Sequence, residues 1–401
     1  MITTPPIVIL GTGLAGYSLG RELRKLDKTI PLVFITADDG RSYSKPMLST
    51  GFSKKKTADE LAQASAATMA EQLNATILCH TTVIDIDRHN KTLVLDKGEP
   101  LVYAKLVFAV GANCINPPIE GDASDEIHSI NNLMDYHRFR QSLENKKRVF
   151  IIGAGLIGCE YANDLGAGGF QVSCADVQDN VLASLLPEPA SHAVQTALQH
   201  EYGTQFHLGQ RVTRIEKDGD AFRISITSID SSNANNNNPD TTQPLTITSD
   251  IVLSAVGVRA NTELAQTSGI TVNRGIVVDR HLQTSDADIY ALGDCAEVSG
   301  HLMYFVMPLM ICARALAPTL LGTPTAVRYD TMAVGVKTPV CPVQVVPTNI
   351  EQEGRWTISG DAHNVRALFH NQQGELQGFA LTGSHIAEKI SLTKALPPML
   401  A

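Results

Sequence analysis

The 401-residue sequence has no Cys-x-x-Cys pair and no zinc-finger spacing; its seven cysteines stand apart at 79, 114, 159, 174, 295, 312 and 341. Buried free thiols are the expectation, which argues against a cysteine-ligated metal and against a disulfide framework. Basic residues are in short supply, with Lys+Arg 32 against Asp+Glu 41 for a net charge of −9. That balance excludes a general binder of nucleic acid or of anionic membrane. Long apolar runs are missing too: the most apolar window, Leu302 to Ala313, meets Arg314 after twelve residues, too few to cross a bilayer. Nothing ahead of Ile7 has the pattern of a signal peptide, so the expected location is the cytoplasm. What the chain does have is 43% hydrophobic residues, over a length that suggests about two or three domains.

The N-terminal stretch Ile7-Val-Ile-Leu-Gly-Thr-Gly-Leu-Ala-Gly16 is an apolar run that breaks into glycines. It reads as a buried parallel strand, a tight turn at Gly11, Gly13 and Gly16, and a helix start whose free N–H groups suit a pyrophosphate. Leu19, Leu23 and Leu26 then mark one apolar helix stripe, and Pro31 to Thr36 a second strand. Its end offers Thr36, Ala37 and the acid Asp38 to a ribose or adenosine. Thr82–Asp87 and Thr92–Asp96 alternate as a hairpin, and Leu101–Val110 reads as one returning strand ending in Gly111-Ala112.

The opening pattern recurs at Arg148-Val-Phe-Ile-Ile-Gly-Ala-Gly-Leu-Ile-Gly158. Gly153, Gly155 and Gly158 each follow their counterpart by 142 residues, so two dinucleotides are expected. Ser18 of the first copy becomes Glu160 in the second, either facing the partner cofactor or serving as a capping or surface glutamate. The strand Gln171–Asp176 ends in an acid, which accepts hydrogen bonds from a ribose 2′-hydroxyl and repels a 2′-phosphate; NADH is expected over NADPH. The polar stretch between Ser228 and Ser249 reads as a mobile hairpin tip. At Ile251–Val256 the chain is expected to return to the first unit. Gly293-Asp294 closes a short apolar strand and is either a turn or a carboxylate for a sugar-alcohol chain. Pro308 opens a helix through Leu316. The fold class is α/β: a first dinucleotide-binding domain at 1–115 and 250–326, a second inserted at 116–249, and a small α/β domain at 327–401 holding Trp356.

From Arg41 to Lys56 there are five basic residues, Arg41, Lys45, Lys54, Lys55 and Lys56, and no acid. A solvated loop and a functional surface are both compatible with that.

Together, the two glycine turns, Gly111-Ala112, Glu160 and Tyr290-Ala-Leu-Gly-Asp294 resemble the flavoprotein reductases that bind two dinucleotides in Rossmann-like domains. The stretches Ile35–Ser53, Tyr304–Met310 and Val336–Pro339 narrow the resemblance to the bacterial rubredoxin–NAD(+) reductases. The ferredoxin reductases of this fold commonly carry Arg-Pro where Lys45-Pro46 stands and a glutamate near Asp38, and the sequence departs from both. The resemblance implies FAD bound at Thr12, Gly13, Leu14, Ala15, Thr36, Ala37, Lys45, Val83, Glu160, Asp294, Val306 and Lys337, with NADH at the second glycine turn and Asp176.

It also implies hydride transfer from NADH to FAD and single-electron transfer to rubredoxin, a small acidic iron protein, in a route such as alkane hydroxylation. No cysteine pair stands in 41–56, so the dithiol relay of the disulfide reductases is excluded. Lys45 and Lys337 are expected beside the flavin, favouring its reduced anionic ring; ordinary surface ion pairs are the alternative. Glu160 is expected to orient the nicotinamide. Arg41, Lys45 and Lys54 to Lys56 are expected to receive rubredoxin against the general negative charge. A ferredoxin or flavorubredoxin as acceptor, or a flavin-based redox sensor, are the competing expectations.

Overall fold

A computed structural model of the chain describes residues 4–229, 244–348 and 353–401. The opening apolar run forms the strand Ile7–Leu10, buried throughout. It is the centre of a five-stranded parallel sheet in the order Ile289–Ala291, Lys105–Phe108, Ile7–Leu10, Leu32–Ile35, Thr76–Leu78. Unbroken Val, Ile, Leu and Phe runs suit strands covered on both faces, and each such side chain contributes about 2 kcal/mol on burial. The helix Leu14–Leu26 follows the glycine turn with Leu19 and Leu23 fully buried. Leu26, expected on the same stripe, is instead 57% exposed; Asp27 beyond it is already extended, so the last turn has run past the core.

The glycine repeat builds a second parallel sheet, ordered Gln205–His207, Gln171–Ala175, Arg148–Ile152, Ile251–Ser254. This corrects the expected boundary at 249/250. Val149–Ile152 pairs in parallel with Ile251–Ser254, so that strand completes the inserted unit instead of leaving it. The crossing comes later, where Ala112–Cys114 on the way out runs antiparallel to Val258–Ala260 on the way back. An apolar strand of either sheet has the same sequence pattern, which is why composition could not place this one. The chain then rejoins the first sheet through Ile289–Ala291.

The expected hairpin forms, with Val83–Asp87 antiparallel to Thr92–Leu95. The stretch expected as one strand from Leu101 to Val110 splits: Leu101–Val102 pairs with the hairpin, Lys105–Phe108 enters the sheet, and buried Tyr103 marks the change. The polar stretch predicted as a hairpin tip lies largely at 230–243, outside the described residues, but its flanking strands Ala221–Ser228 and Leu245–Ser249 are antiparallel partners. The helix predicted from Pro308 starts earlier, spanning Val306–Leu320 with Pro308 in its first turn.

Among the described residues beyond 327 the chain forms the expected small α/β domain, a five-stranded antiparallel sheet with a short closing helix, Lys389–Lys394. Its Val336, Val343, Val345, Ala367 and Ala380 share one core with Cys159, Val181 and Val194 of the inserted unit. Trp356 is half-buried, its ring 5.3 Å from that of Phe369. Among the described residues no helix is long and apolar enough to cross a membrane.

Candidate dinucleotide and redox site

The two glycine turns have the same geometry. Gly11 and Gly153 take φ of +109° and +102°, a region closed to most side chains. A Cβ on Gly16 would lie 2.1 Å from the Gly11 carbonyl oxygen, and one on Gly158 would lie 2.0 Å from that of Gly153. These glycines let each helix close onto its strand. At Gly13 and Gly155 a Cβ would meet nothing within 4 Å, and each caps its helix without any side-chain hydrogen bond. Open space in front of free helix N–H groups is what a pyrophosphate needs. Gly13→Ala and Gly155→Ala are therefore expected to fold normally while weakening dinucleotide binding roughly tenfold or more; melting curves and flavin and NADH titrations check this.

The acids after the second strand of each unit hold the turns. Asp38 Oδ1 accepts from Thr36 Oγ1 at 2.7 Å, Gly40 N at 2.9 Å and Thr12 Oγ1 at 3.3 Å. Asp176 accepts from Ala154 N at 2.5 Å and Gln178 N at 2.8 Å. Thr36 is buried, Ala37 exposed, and Val83 buried at the start of its strand.

Gly293, at φ +80°, sits so close to the first turn that a Cβ would be 2.8 Å from Ala15. The fold therefore brings Asp294 to the first glycine turn. Burial pushes its carboxyl above the usual range, and the Lys45 ammonium opposes that. Lys45 itself donates to Asn131 Oδ1 at 2.7 Å, whose amide donates to Ala112 O at 2.8 Å. Phe305, Val306 and Met307 are exposed at the start of a helix with no side-chain cap, and Ile157 and Val256 are exposed beside the second turn.

Glu160 resolves one alternative: it is neither a cap nor a surface residue, being 1% exposed. Its Oε1 accepts from the Lys337 backbone at 3.0 Å, and its Oε2 accepts from Ser49 Oγ at 2.7 Å and from the Lys337 ammonium. Lys337 also donates to Ser49 Oγ at 2.9 Å. One carboxylate thus joins the inserted unit, the loop after the first glycine turn and the C-terminal sheet. The loop itself, Lys45–Thr50 in a tight helix, links Lys45 at one end to Ser49 at the other. Ser49, Asn131 and Asp164 were missed in the sequence; only Asp164 had a signal, four residues after Glu160 and so on the same helix face.

The basic stretch is less uniform than its composition. Arg41 pairs with Asp39 and with Asp59, both at 2.7 Å, and Lys45 is half-buried on Asn131. Lys54, Lys55 and Lys56 are exposed. The 51–56 turn ends with Lys55 N bonded to Phe52 O and Lys56 N to Gly51 O, Lys55 taking φ of 52°. That is the left-handed helix end in which glycine is usual, occupied here by a lysine. All seven cysteines are free, and among the described residues no group of three or more His, Cys, Asp or Glu could hold a metal.

Two strand-turn-helix units of matched geometry, with a thiol-free loop between them, define a protein of the class that brings two dinucleotides together for redox chemistry. Residues 5–316 match the pyridine nucleotide-disulphide oxidoreductase family, and residues 326–396 match the rubredoxin binding C-terminal domain. A rubredoxin–NAD(+) reductase of Alcanivorax borkumensis is 48% identical over 98% of this chain and 99% of its own. One of Acinetobacter baylyi is 41% identical over 98% of each. A ferredoxin reductase structure from Rhodopseudomonas palustris superimposes with a TM-score of 0.83 at 24% identity, over 98% of this chain and 96% of that one, a likeness of fold. The chain belongs to the pyridine nucleotide-disulphide oxidoreductases and, within them, to the rubredoxin–NAD(+) reductase family.

Proposed function

We propose that the chain oxidises NADH and delivers the electrons, by way of FAD, to rubredoxin. The observation that carries this is the pair of like glycine turns, with Glu160 of the second unit bonded to Ser49 in the thiol-free 41–56 loop of the first. The acceptor follows from whole-length similarity to rubredoxin–NAD(+) reductases and from the C-terminal match. FAD, when bound, takes up a hydride and releases electrons one at a time, which suits an iron carrier.

On this reading the turn at Gly11, Gly13 and Gly16 holds the FAD pyrophosphate on the helix start at Leu14, with Thr12 and Ala15 lining it. Thr36, Ala37 and Val83 lie towards the adenosine, and Asp294 accepts from the sugar-alcohol chain. Val306 lies against the flavin. Gly153, Gly155 and Gly158 hold the NADH pyrophosphate, and Asp176, fixed by Ala154 N, selects the unphosphorylated ribose. Lys45 and Lys337 supply positive charge at the flavin ring. Glu160 holds Lys337 in place and would help to exclude water where nicotinamide and flavin would meet. The free thiols support a reducing, cytoplasmic setting.

Lys54, Lys55 and Lys56 form the landing charge for an acidic carrier, without Arg41, whose charge is taken up by Asp39 and Asp59. The loop that carries them starts at the Lys337 contact, next to the C-terminal domain. Reversing all three to Glu is expected to lower the rubredoxin rate about tenfold and to weaken its dependence on salt. An unchanged rate removes the lysines from the docking site.

The reading as a whole is tested by anaerobic mixing of the FAD-loaded protein with NADH. Rapid bleaching of the flavin, followed by recovery of colour on adding oxidised rubredoxin, is the expected result. Bleaching that rubredoxin does not reverse points to another acceptor. A protein that NADH fails to bleach fits a sensor.

A further inference from the structure

Asp164 lies one turn after Glu160 on the helix Leu156–Ala167 and is 1% exposed. A buried carboxylate is costly unless donors surround it. Its donors come from the other dinucleotide-binding unit. Oδ2 accepts from Phe52 N at 2.9 Å; Oδ1 accepts from Ser53 N at 2.9 Å and Ser53 Oγ at 2.5 Å. The same turn is gripped from other sides. Phe52, 5% exposed, lies in the core of the inserted unit with Tyr136, Phe139, Tyr161 and Leu165. Tyr136 donates its hydroxyl to Lys56 O at 2.8 Å, and the Arg140 guanidinium sits 5.2 Å from the Phe52 ring centre.

The turn that ends in Lys54 to Lys56 is therefore anchored on the NADH-side helix, although its sequence belongs to the FAD-side unit. Lys55 in a left-handed conformation is disfavoured on its own, so the surroundings must impose it. Asp164 fixes the two amides immediately before the lysines, and Tyr136 fixes the carbonyl of the last of them.

We infer that Asp164 is a positioning residue: it holds the Phe52–Lys56 turn on the second glycine helix and so sets where the Lys54–Lys56 charge meets rubredoxin. The inference rests on the reading of those lysines as the docking charge. Glu160 and Asp164, on one helix face, then divide the work, with the first serving the junction at Ser49 and Lys337 and the second the landing turn.

The test uses the full-length, FAD-loaded protein in four forms: parent, Asp164→Asn, Lys54→Gln with Lys55→Gln and Lys56→Gln, and all four changes together. Amide hydrogen exchange at Phe52 and Ser53 is read alongside kcat and KM for rubredoxin at several salt concentrations. Asp164→Asn is expected to speed exchange at both amides about tenfold. It is also expected to raise KM for rubredoxin roughly threefold to tenfold and to flatten the salt dependence, with kcat changed far less. In the lysine-free form, adding Asp164→Asn should have no further effect on KM, because coupled residues are not additive.

Unchanged exchange, or a KM effect that persists in full without the lysines, overturns the inference. A lysine-free form as fast as the parent overturns the docking reading instead, and the exchange data tell the two failures apart. If Asp164→Asn does not fold, Ser53→Ala removes one donor of the three and is expected to shift exchange and KM in the same directions by smaller factors.

Discussion

Replacing Glu160 by alanine is expected to destabilise the protein and to slow flavin reduction by NADH at least about tenfold. The stability effect arises because Glu160 is buried and accepts three hydrogen bonds, two from Lys337 and one from Ser49. Removing one member of a buried pair leaves the other charge uncompensated, at a cost of about 3–5 kcal/mol in closed interiors. Lys337 keeps 32% of its side chain exposed, so water relieves part of that and about 2 kcal/mol is expected here. The kinetic effect follows from position, since a tenfold change needs only about 1.4 kcal/mol of lost transition-state stabilisation. Glu160→Gln separates the two effects. Its amide oxygen still accepts from Ser49 and the Lys337 ammonium, while its NH2 faces the Lys337 main-chain N–H, so Tm should recover in part, and more than the rate. Stopped-flow flavin reduction and thermal melts of both variants decide it; a Glu160→Ala protein with the parent's rate would place Glu160 in the architecture alone.

Valine at Gly16 or Gly158 should have larger effects, of different kinds. In each case a Cβ would lie about 2 Å from the main-chain oxygen of the first glycine of its own turn, closer than any packing allows, and the obstacle is backbone that cannot rotate away. Gly16→Val opens the first turn at the centre of the five-stranded sheet, and colourless or insoluble protein is expected. Gly158→Val opens only the inserted unit, so the protein should stay yellow while NADH bleaching falls about a hundredfold or more, the usual consequence of misplacing a reactant by an ångström. Flavin content by absorbance and single-turnover reduction by NADH check both. Equal flavin loss in the two variants would contradict the division of roles between the turns.

These contrasts also show what the sequence can reveal. The glycine turns were legible because their function is written in missing side chains at fixed spacing, and Gly13 and Gly155 turned out open where Gly16 and Gly158 turned out closed. The hairpin Val83–Leu95 was legible for a similar local reason, its alternation around His89-Asn90. The junction was not, because Ser49, Glu160 and Lys337 span 288 residues and meet only through the fold. Glu160 and Lys337 are visible singly as charged residues of ambiguous purpose, and Ser49 carries no signal at all. Ile251–Ser254 was misplaced because both sheets demand the same apolar pattern. Arg41, a free cation by composition, is paired with Asp39 and Asp59 in the fold. Net charge over a window is blind to partners brought in from elsewhere.

The central claim is that the electrons leave for rubredoxin. It is tested most directly by measuring kcat/KM for NADH-driven reduction of purified rubredoxin, a [2Fe–2S] ferredoxin and the rubredoxin domain of a flavorubredoxin at one ionic strength. The account predicts that free rubredoxin is preferred by at least about tenfold, a discrimination of roughly 1.4 kcal/mol. A ferredoxin or a flavorubredoxin domain reduced as well as, or better than, rubredoxin would contradict it.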